Sequence, residues 1–587
     1  MLHVQAHFEQ NEDAPIIPEQ FGVYICTYVD LRRILRDIPR GAKLCPGSLR
    51  YDPGWGFGND ALPNSPREID APQITAKGRG VRIRWRGIGR LMRAVRKTGM
   101  PSLFVHAYNP IPLQPTSAEP RGGNSQLTMR SLWNTLPTDL ARWGEIVKAY
   151  ARRWHDHGPS LRYHEIWNEP DLQPTFFTGS IEDYCAIYAS GAKAVRSGDP
   201  DGLVGGPSVS FSEEWASEFL GAVRAQRLPM DFFSYHAYGD PAPMVEKMRE
   251  ALRSHPWMRT KEVLMTEYNV FVPATPDFTT GGGIETSACA AMLLDAFDYF
   301  LRQPDIHQVH WAQLQDPEVF GENVDRCGLL DLKGFPKPAY LAWRLFTKLS
   351  SQRRRLELSD PIHGMAAADA NGAQVLLWNR SMEPREVVVD LLGVPFACRQ
   401  AEITTLDGKD EQCRTVPFAL EEPSLSFRLE AHGVCLIRLA SVQRRKVSRR
   451  RLPVARVLRY THDFGAGMYA EYDKRRRIVY LGSGAAPAGP AWIGLVMKKL
   501  VQRLRMTVEL EATSENLGFS IYALGKDSGV CFHKAGGNSP PVPWECAQIP
   551  MTYRAWAGEG IEISDAHALL FCFEDTAPHA RARVVLG

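Results

Sequence analysis

The chain has 587 residues, of which 44% are hydrophobic, 10% aromatic and 23% charged. That balance excludes a disordered or fibrous protein and suits roughly two to four globular domains. With 69 basic and 66 acidic residues the net charge is +3, which gives no whole-chain case for nucleic acid or an anionic membrane as partner.

The opening residues, Met1-Leu2-His3-Val4-Gln5-Ala6-His7-Phe8-Glu9, show neither a basic nor an apolar leader segment. No later apolar run reaches the roughly 18 residues of a spanning helix, so a cytoplasmic location is the expectation. Residues 1–18 precede the first β-rich run and are expected to join a later β-sandwich. From about residue 20 to 350, short β-rich runs alternate with longer amphipathic ones, the pattern of parallel βαβ units. The predicted strands are Phe21–Cys26, Lys43–Asp52, Pro101–Tyr108, Leu161–Pro170, Gly202–Ser210, Asp231–Tyr238, Glu262–Val270 and Ile306–Leu314. Helices are predicted near 30–38, 82–99, 138–157, 181–197, 213–226, 243–254, 285–302 and 337–349. This strict alternation predicts an α/β fold, a (β/α)8 TIM barrel over residues 19–350.

Past Ser350 the helical period fades. Runs such as Gln374-Val375-Leu376-Leu377-Trp378 and Val434-Cys435-Leu436-Ile437-Arg438-Leu439 predict a β-sandwich domain over 351–442. The basic run Arg444-Arg445-Lys446-Val447-Ser448-Arg449-Arg450-Arg451 has no interleaved aromatic residues, and reads as a solvated linker over 443–455 rather than a nucleic-acid patch. Residues 456–587 predict a second, jelly-roll-like sandwich, either a packing domain or an accessory carbohydrate-binding module. The 11 cysteines are scattered and suggest neither a disulfide framework nor a zinc knuckle. With no HExxH, Walker loop or strand-associated GxGxxG, no metal or cofactor is expected.

In a (β/α)8 barrel the active site forms at the carboxyl ends of the strands. The fourth predicted strand ends in Trp167-Asn168-Glu169-Pro170, where the proline stops the ladder. The seventh runs Val263-Leu264-Met265-Thr266-Glu267-Tyr268-Asn269 and also carries a carboxylate at its end. Strands four and seven face each other across the mouth, so Glu169 and Glu267 form the paired carboxylates that glycosidic bond cleavage needs. Glu165 lies mid-strand and is expected in a buried salt bridge inside the barrel.

These motifs resemble those of the retaining glycoside hydrolases of clan A. Further stretches resemble glycoside hydrolase family 39: Glu165–Leu172, Val204-Gly205-Gly206-Pro207, Asp231–Gly239, and Gly328-Leu329-Leu330 with Lys337-Pro338-Ala339-Tyr340. The resemblance covers roughly residues 15–440. It implies that Glu169 is the general acid/base and Glu267 the nucleophile. It also implies that Asn168 contacts the sugar 2-hydroxyl and that Arg50 keeps Glu267 ionised. His106, His236 and Tyr238 would line the same subsite, with Trp311 as an aromatic floor.

The implied reaction is retaining, β-xylosidase-like hydrolysis of an oligo- or polysaccharide, without cofactor, nucleic acid or membrane. An endo-acting hydrolase of a bacterial exopolysaccharide and a non-catalytic glycan-binding protein are the alternatives. One departure bears on the sugar. The acidic pair that follows the strand-eight tryptophan in the family's xylosidases does not align cleanly with Gln313-Leu314-Gln315-Asp316-Pro317-Glu318-Val319-Phe320-Gly321-Glu322. The proline-rich loop Asn109–Leu136 is expected to shape the cleft.

Overall fold

A computed structural model describes, within the first 440 residues, 2–25, 31–44, 46–53, 74–78, 80–115, 132–270, 286–316, 327–369, 372–395, 400–406, 413–419 and 423–440. Beyond these it describes the strands of the C-terminal unit given below. The middle of the 109–136 loop, Glu318, Glu322 and the basic run 444–451 lie outside the described residues.

Barrel strands β1 (Phe21–Ile25), β2 (Leu49–Tyr51), β3 (Ser102–His106), β4 (Arg162–Ile166), β5 (Leu203–Val209), β6 (Phe232–Tyr238), β7 (Glu262–Asn269) and β8 (Gln308–Ala312) close into one parallel barrel. Its helices are α1 (Leu31–Ala42), α2 (Trp85–Thr98), α3 (Leu140–His157), α4 (Ile181–Gly198), α5 (Glu213–Ala225), α6 (Ala242–Arg253), α7 (Ser287–Leu301) and α8 (Pro338–Phe346). The strands are buried on both faces, between the lumen and the helical coat, and this holds even for the polar run Arg162–Ile166 of β4. Local chemistry sets the helix ends. Asp139 accepts the Arg142 N–H at 2.9 Å at the start of α3, and Ser180 and Asp183 form a reciprocal capping box on α4. Gly99 closes α2 in the left-handed region at φ 75°.

Strand parity decides which residues reach the lumen. On β1, Phe21 points outward and stacks on Phe297 of α7 with ring centroids 3.8 Å apart. Gly22 and Tyr24 therefore point inward. A Cβ on Gly22 would meet the His310 ring at 2.5 Å, and the Arg50 guanidinium lies 4.5 Å over the Tyr24 ring. Strand β8 pairs Val309 with Phe21, His310 with Gly22, Trp311 with Val23 and Ala312 with Tyr24. His310 and Ala312 thus face the lumen, while Trp311 faces the helices.

The N-terminal strand Leu2–Asn11 runs antiparallel to Arg353–Glu357 and parallel to Arg385–Leu392. It thereby joins the strands after the barrel into one nine-stranded sheet. The two faces of the expected sandwich are halves of this sheet, which curls over a core containing Val4, Phe8, Val375, Leu377, Val389, Ile403 and Leu425. Barrel and sheet form one compact unit, Met1–Val442.

The second unit, Gln443–Gly587, contains a six-stranded and a five-stranded sheet. Val454–Thr461, Ala491–Val501, Ala566–Asp575, Gly518–Leu524, Gly529–Lys534 and Cys546–Gln548 make the first. Tyr469–Asp473, Ile478–Gly482, Arg581–Leu586, Leu504–Glu511 and Gly560–Ile563 make the second. Among the described residues, no helix is long and apolar enough to cross a membrane.

Candidate active site

Consecutive side chains of a regular strand face opposite ways, yet Asn168 and Glu169 both reach lumen groups. The backbone after β4 makes this possible: Trp167 and Glu169 adopt left-handed conformations, φ 73° and 48°. The Glu169 N–H donates to the Ser208 carbonyl at 3.2 Å, which ties the irregular turn to β5. Non-glycine residues in this region are strained, and such strain gathers at functional sites.

Arg50, the inward residue of β2, organises the lumen below. Its Nη1 donates to Glu267 Oε1 at 2.6 Å, its Nε to Glu165 Oε2 at 2.8 Å and its Nη2 to Asn168 Oδ1 at 2.5 Å. Glu165 is thus in the buried ion pair that its mid-strand position predicts. Because Asn168 Oδ1 is bound to Arg50, the amide nitrogen faces away as a donor. Burial works against the charge on Arg50, but Glu165 and Glu267 overcome it and hold the guanidinium firmly protonated.

Two groups of β6 complete the cluster. His236 Nδ1 lies 2.7 Å from Glu169 Oε1 and 3.8 Å from Glu267 Oε2. The Tyr238 hydroxyl donates to Glu267 Oε2 at 2.6 Å. Single ligand atoms of Glu169, His236 and Glu267 all lie within 4.8 Å of one another. Glu169 and Glu267 keep 7% and 8% of their surface exposed, so both border the mouth rather than lying sealed beneath it.

The two carboxylates are driven apart in acidity. Burial raises the pKa of Glu169, with the nearby Glu267 charge adding to it and the His236 hydrogen bond opposing it. Burial also disfavours the charge on Glu267, but His236, Arg50 and the Tyr238 hydroxyl outweigh it and hold its pKa below the usual value. His236 is raised: burial acts against its charge, and the two glutamates reverse the balance. One carboxyl group is set up to keep its proton and the other to lose it.

The structure does not bring His106 or Trp311 into this cluster. His106 sits beside Ile166, which packs outward near Gly191 of α4. Its Nε2 lies 2.9 Å from His164 Nδ1, and His164 Nε2 lies 3.0 Å from Asp199 Oδ2 at the foot of α4. Trp311 packs edge-on against Tyr268, which itself meets Phe300 of α7. The residue types pointed to a sugar subsite, but strand parity turns both toward the helices. The lumen-facing neighbours are Ala107 and Ala312.

The motif reading missed Tyr24 and Asp52. Tyr24 alternates with Phe21, and Asp52 lies two residues beyond Arg50, so the same parity count would have found both. The Glu169–His236–Glu267 trio is also the group among the described residues whose ligand atoms converge closely enough for a metal ion. The Arg50 charge against Glu267 disfavours a cation there.

The chain is similar to known glycosidases. The sequence profile of glycosyl hydrolases family 39 matches residues 126–269, a stretch that holds both glutamates. A β-xylosidase of Caldicellulosiruptor saccharolyticus is 24% identical over 344 residues, 54% of this chain and 69% of that protein. A β-xylosidase of Geobacillus stearothermophilus is 27% identical over 287 residues, 43% of this chain and 54% of that one. In fold, 75% of the chain superposes on a monomeric β-xylosidase from Caulobacter crescentus, covering 100% of that structure with a TM-score of 0.58 at 14% identity. The family 39 enzyme from Xanthomonas axonopodis pv. citri gives 0.57 at 17% identity, over 75% of this chain and 97% of that one.

A closed (β/α)8 barrel with paired glutamates at its mouth, together with these relatives, defines a glycoside hydrolase. Within that class, its similarity is to glycoside hydrolase family 39.

Proposed function

We propose that this glycoside hydrolase removes a β-linked pentose, as a β-xylosidase-like exo-enzyme, by double displacement with retention. The observation that carries the reading is the close approach of Glu169 and Glu267, with carboxylate atoms of both within 4.8 Å of each other and of His236. Retaining enzymes keep their carboxyl groups about 5–5.5 Å apart, whereas inverting ones leave room for a water. The names of the curated relatives support the choice of a xyloside.

In this reading Glu267, ionised beside Arg50 and Tyr238, attacks the anomeric carbon. Glu169 gives its proton to the leaving oxygen, and the C–O bond breaks as a glycosyl ester forms on Glu267. Glu169, now a carboxylate, takes a proton from water, which attacks the ester and releases the sugar and Glu267. Asn168 presents its amide nitrogen to the 2-hydroxyl, a contact that strengthens as positive charge grows on the ring.

The test is proton NMR of the first product formed from an aryl β-D-xyloside. The β-anomer appearing first is expected, and the α-anomer first would contradict retention. Folded Glu267→Gln protein should lose turnover by roughly three orders of magnitude or more.

A further inference from the structure

The site already described leaves open what holds the far side of the sugar ring. Asn168 and Glu169 follow β4, His236 and Tyr238 belong to β6 and Glu267 to β7, so the rest of the ring is left to the arc of the mouth built by β8, β1, β2 and β3. Among the described residues, the lumen-facing groups nearest the strand ends on that arc are Ala312, Tyr24 (under the Arg50 guanidinium), Asp52 and Ala107. The alanines offer methyl groups that cannot hydrogen-bond.

Asp52 differs. Its N–H continues the β2 ladder by donating to the Ile25 carbonyl at 3.3 Å, so its side chain alternates with that of Tyr51. Tyr51 packs outward against Phe104, with ring centroids 6.1 Å apart. Asp52 therefore shares the inward face of Arg50, roughly 6–7 Å nearer the mouth at the usual strand rise. It is 2% exposed, and its charge is felt at Arg50. Past the end of β8, the carboxylate of Asp316 is committed elsewhere: its Oδ1 accepts from Lys337 Nζ at 2.7 Å and from the Gly328 N–H at 2.8 Å.

We propose that Asp52 is a specificity-determining residue that accepts hydrogen bonds from the outer ring hydroxyls of the bound sugar. A carboxylate has two oxygens, each able to accept more than one bond, so it can span two neighbouring hydroxyls without giving up its existing contacts. The assignment rests on the hydrolase reading above and deepens it. It places recognition of the outer hydroxyls on β2.

The test is a substrate–mutant cycle. The kcat/KM of the wild type, Asp52→Asn and Asp52→Ala is measured on an aryl β-D-xyloside and on its 3-deoxy and 4-deoxy counterparts, and circular dichroism confirms folding. Hydrogen bonds to a charged group predict a loss of about 10- to 100-fold on the parent substrate for both variants. On the deoxy substrate that lacks the gripped hydroxyl, the same variants should lie within about threefold of wild type. Equal losses on every substrate, or a shifted acid limb without substrate discrimination, would make Asp52 a support for Arg50 and overturn the assignment. Asp52→Asn keeps the shape and carries the test if Asp52→Ala does not fold. Wild-type protein that cleaves no aryl glycoside would overturn the hydrolase reading, and this proposal with it.

Discussion

Arg50 shows how one buried side chain can divide labour between two identical acids. Its guanidinium contacts Glu267 and leaves Glu169 to His236, so equal side chains acquire unequal protons. In the proposed mechanism the active form needs Glu267 ionised and Glu169 protonated. Because Glu267 is lowered and Glu169 raised, kcat/KM should follow a bell with its acid limb below the usual glutamate range and its basic limb above it. Initial rates across pH on an aryl glycoside check this, and a plateau that fails on the acid side at ordinary glutamate pH would contradict the assigned roles. Glu169→Ala should slow substrates with poor leaving groups far more than activated aryl glycosides, by roughly 100-fold or more between the two extremes. A Brønsted plot of rate against leaving-group acidity reads that difference.

At the scale of elements, the barrel is a counting problem with a physical answer. Gly22 on β1 exists because His310 occupies the adjoining lumen: a Cβ there would stand 2.5 Å from the ring and 2.9 Å from the Ser48 carbonyl oxygen. Gly22→Ala should destabilise the protein by about 1–3 kcal/mol, measured by denaturant unfolding.

The strands were legible in the sequence because eight β-rich runs alternate with eight amphipathic ones. Glu169 and Glu267 were legible because each ends such a run, and Glu165 because it does not. His106 and Trp311 were misread for one reason. Their residue types suit a sugar subsite, but only the register of β3 against β4 and of β8 against β1 shows which way each strand turns its side chains. Asp52 escaped notice for the converse reason: it lies inside the predicted strand Lys43–Asp52 but carries no motif of its own, and only the continued ladder shows that it shares the inward face of Arg50.

For the molecule as a whole, the first residues of the chain help to hold the sheet that follows the barrel. Leu2–Asn11 sits between Arg353–Glu357 and Arg385–Leu392, and buries Val4, Ala6 and Phe8. Removing it would leave two unpaired strand edges and an open core, so a chain lacking residues 2–11 should melt at lower temperature and aggregate. Calorimetry with light scattering measures both.

The catalytic account itself depends on a covalent bond between Glu267 and the sugar. A 2-deoxy-2-fluoro-β-xyloside with an activated leaving group should trap that species, and peptide mass spectrometry should find the label on Glu267. A label on any other residue, or unlabelled protein that still cleaves the unfluorinated substrate, would contradict it.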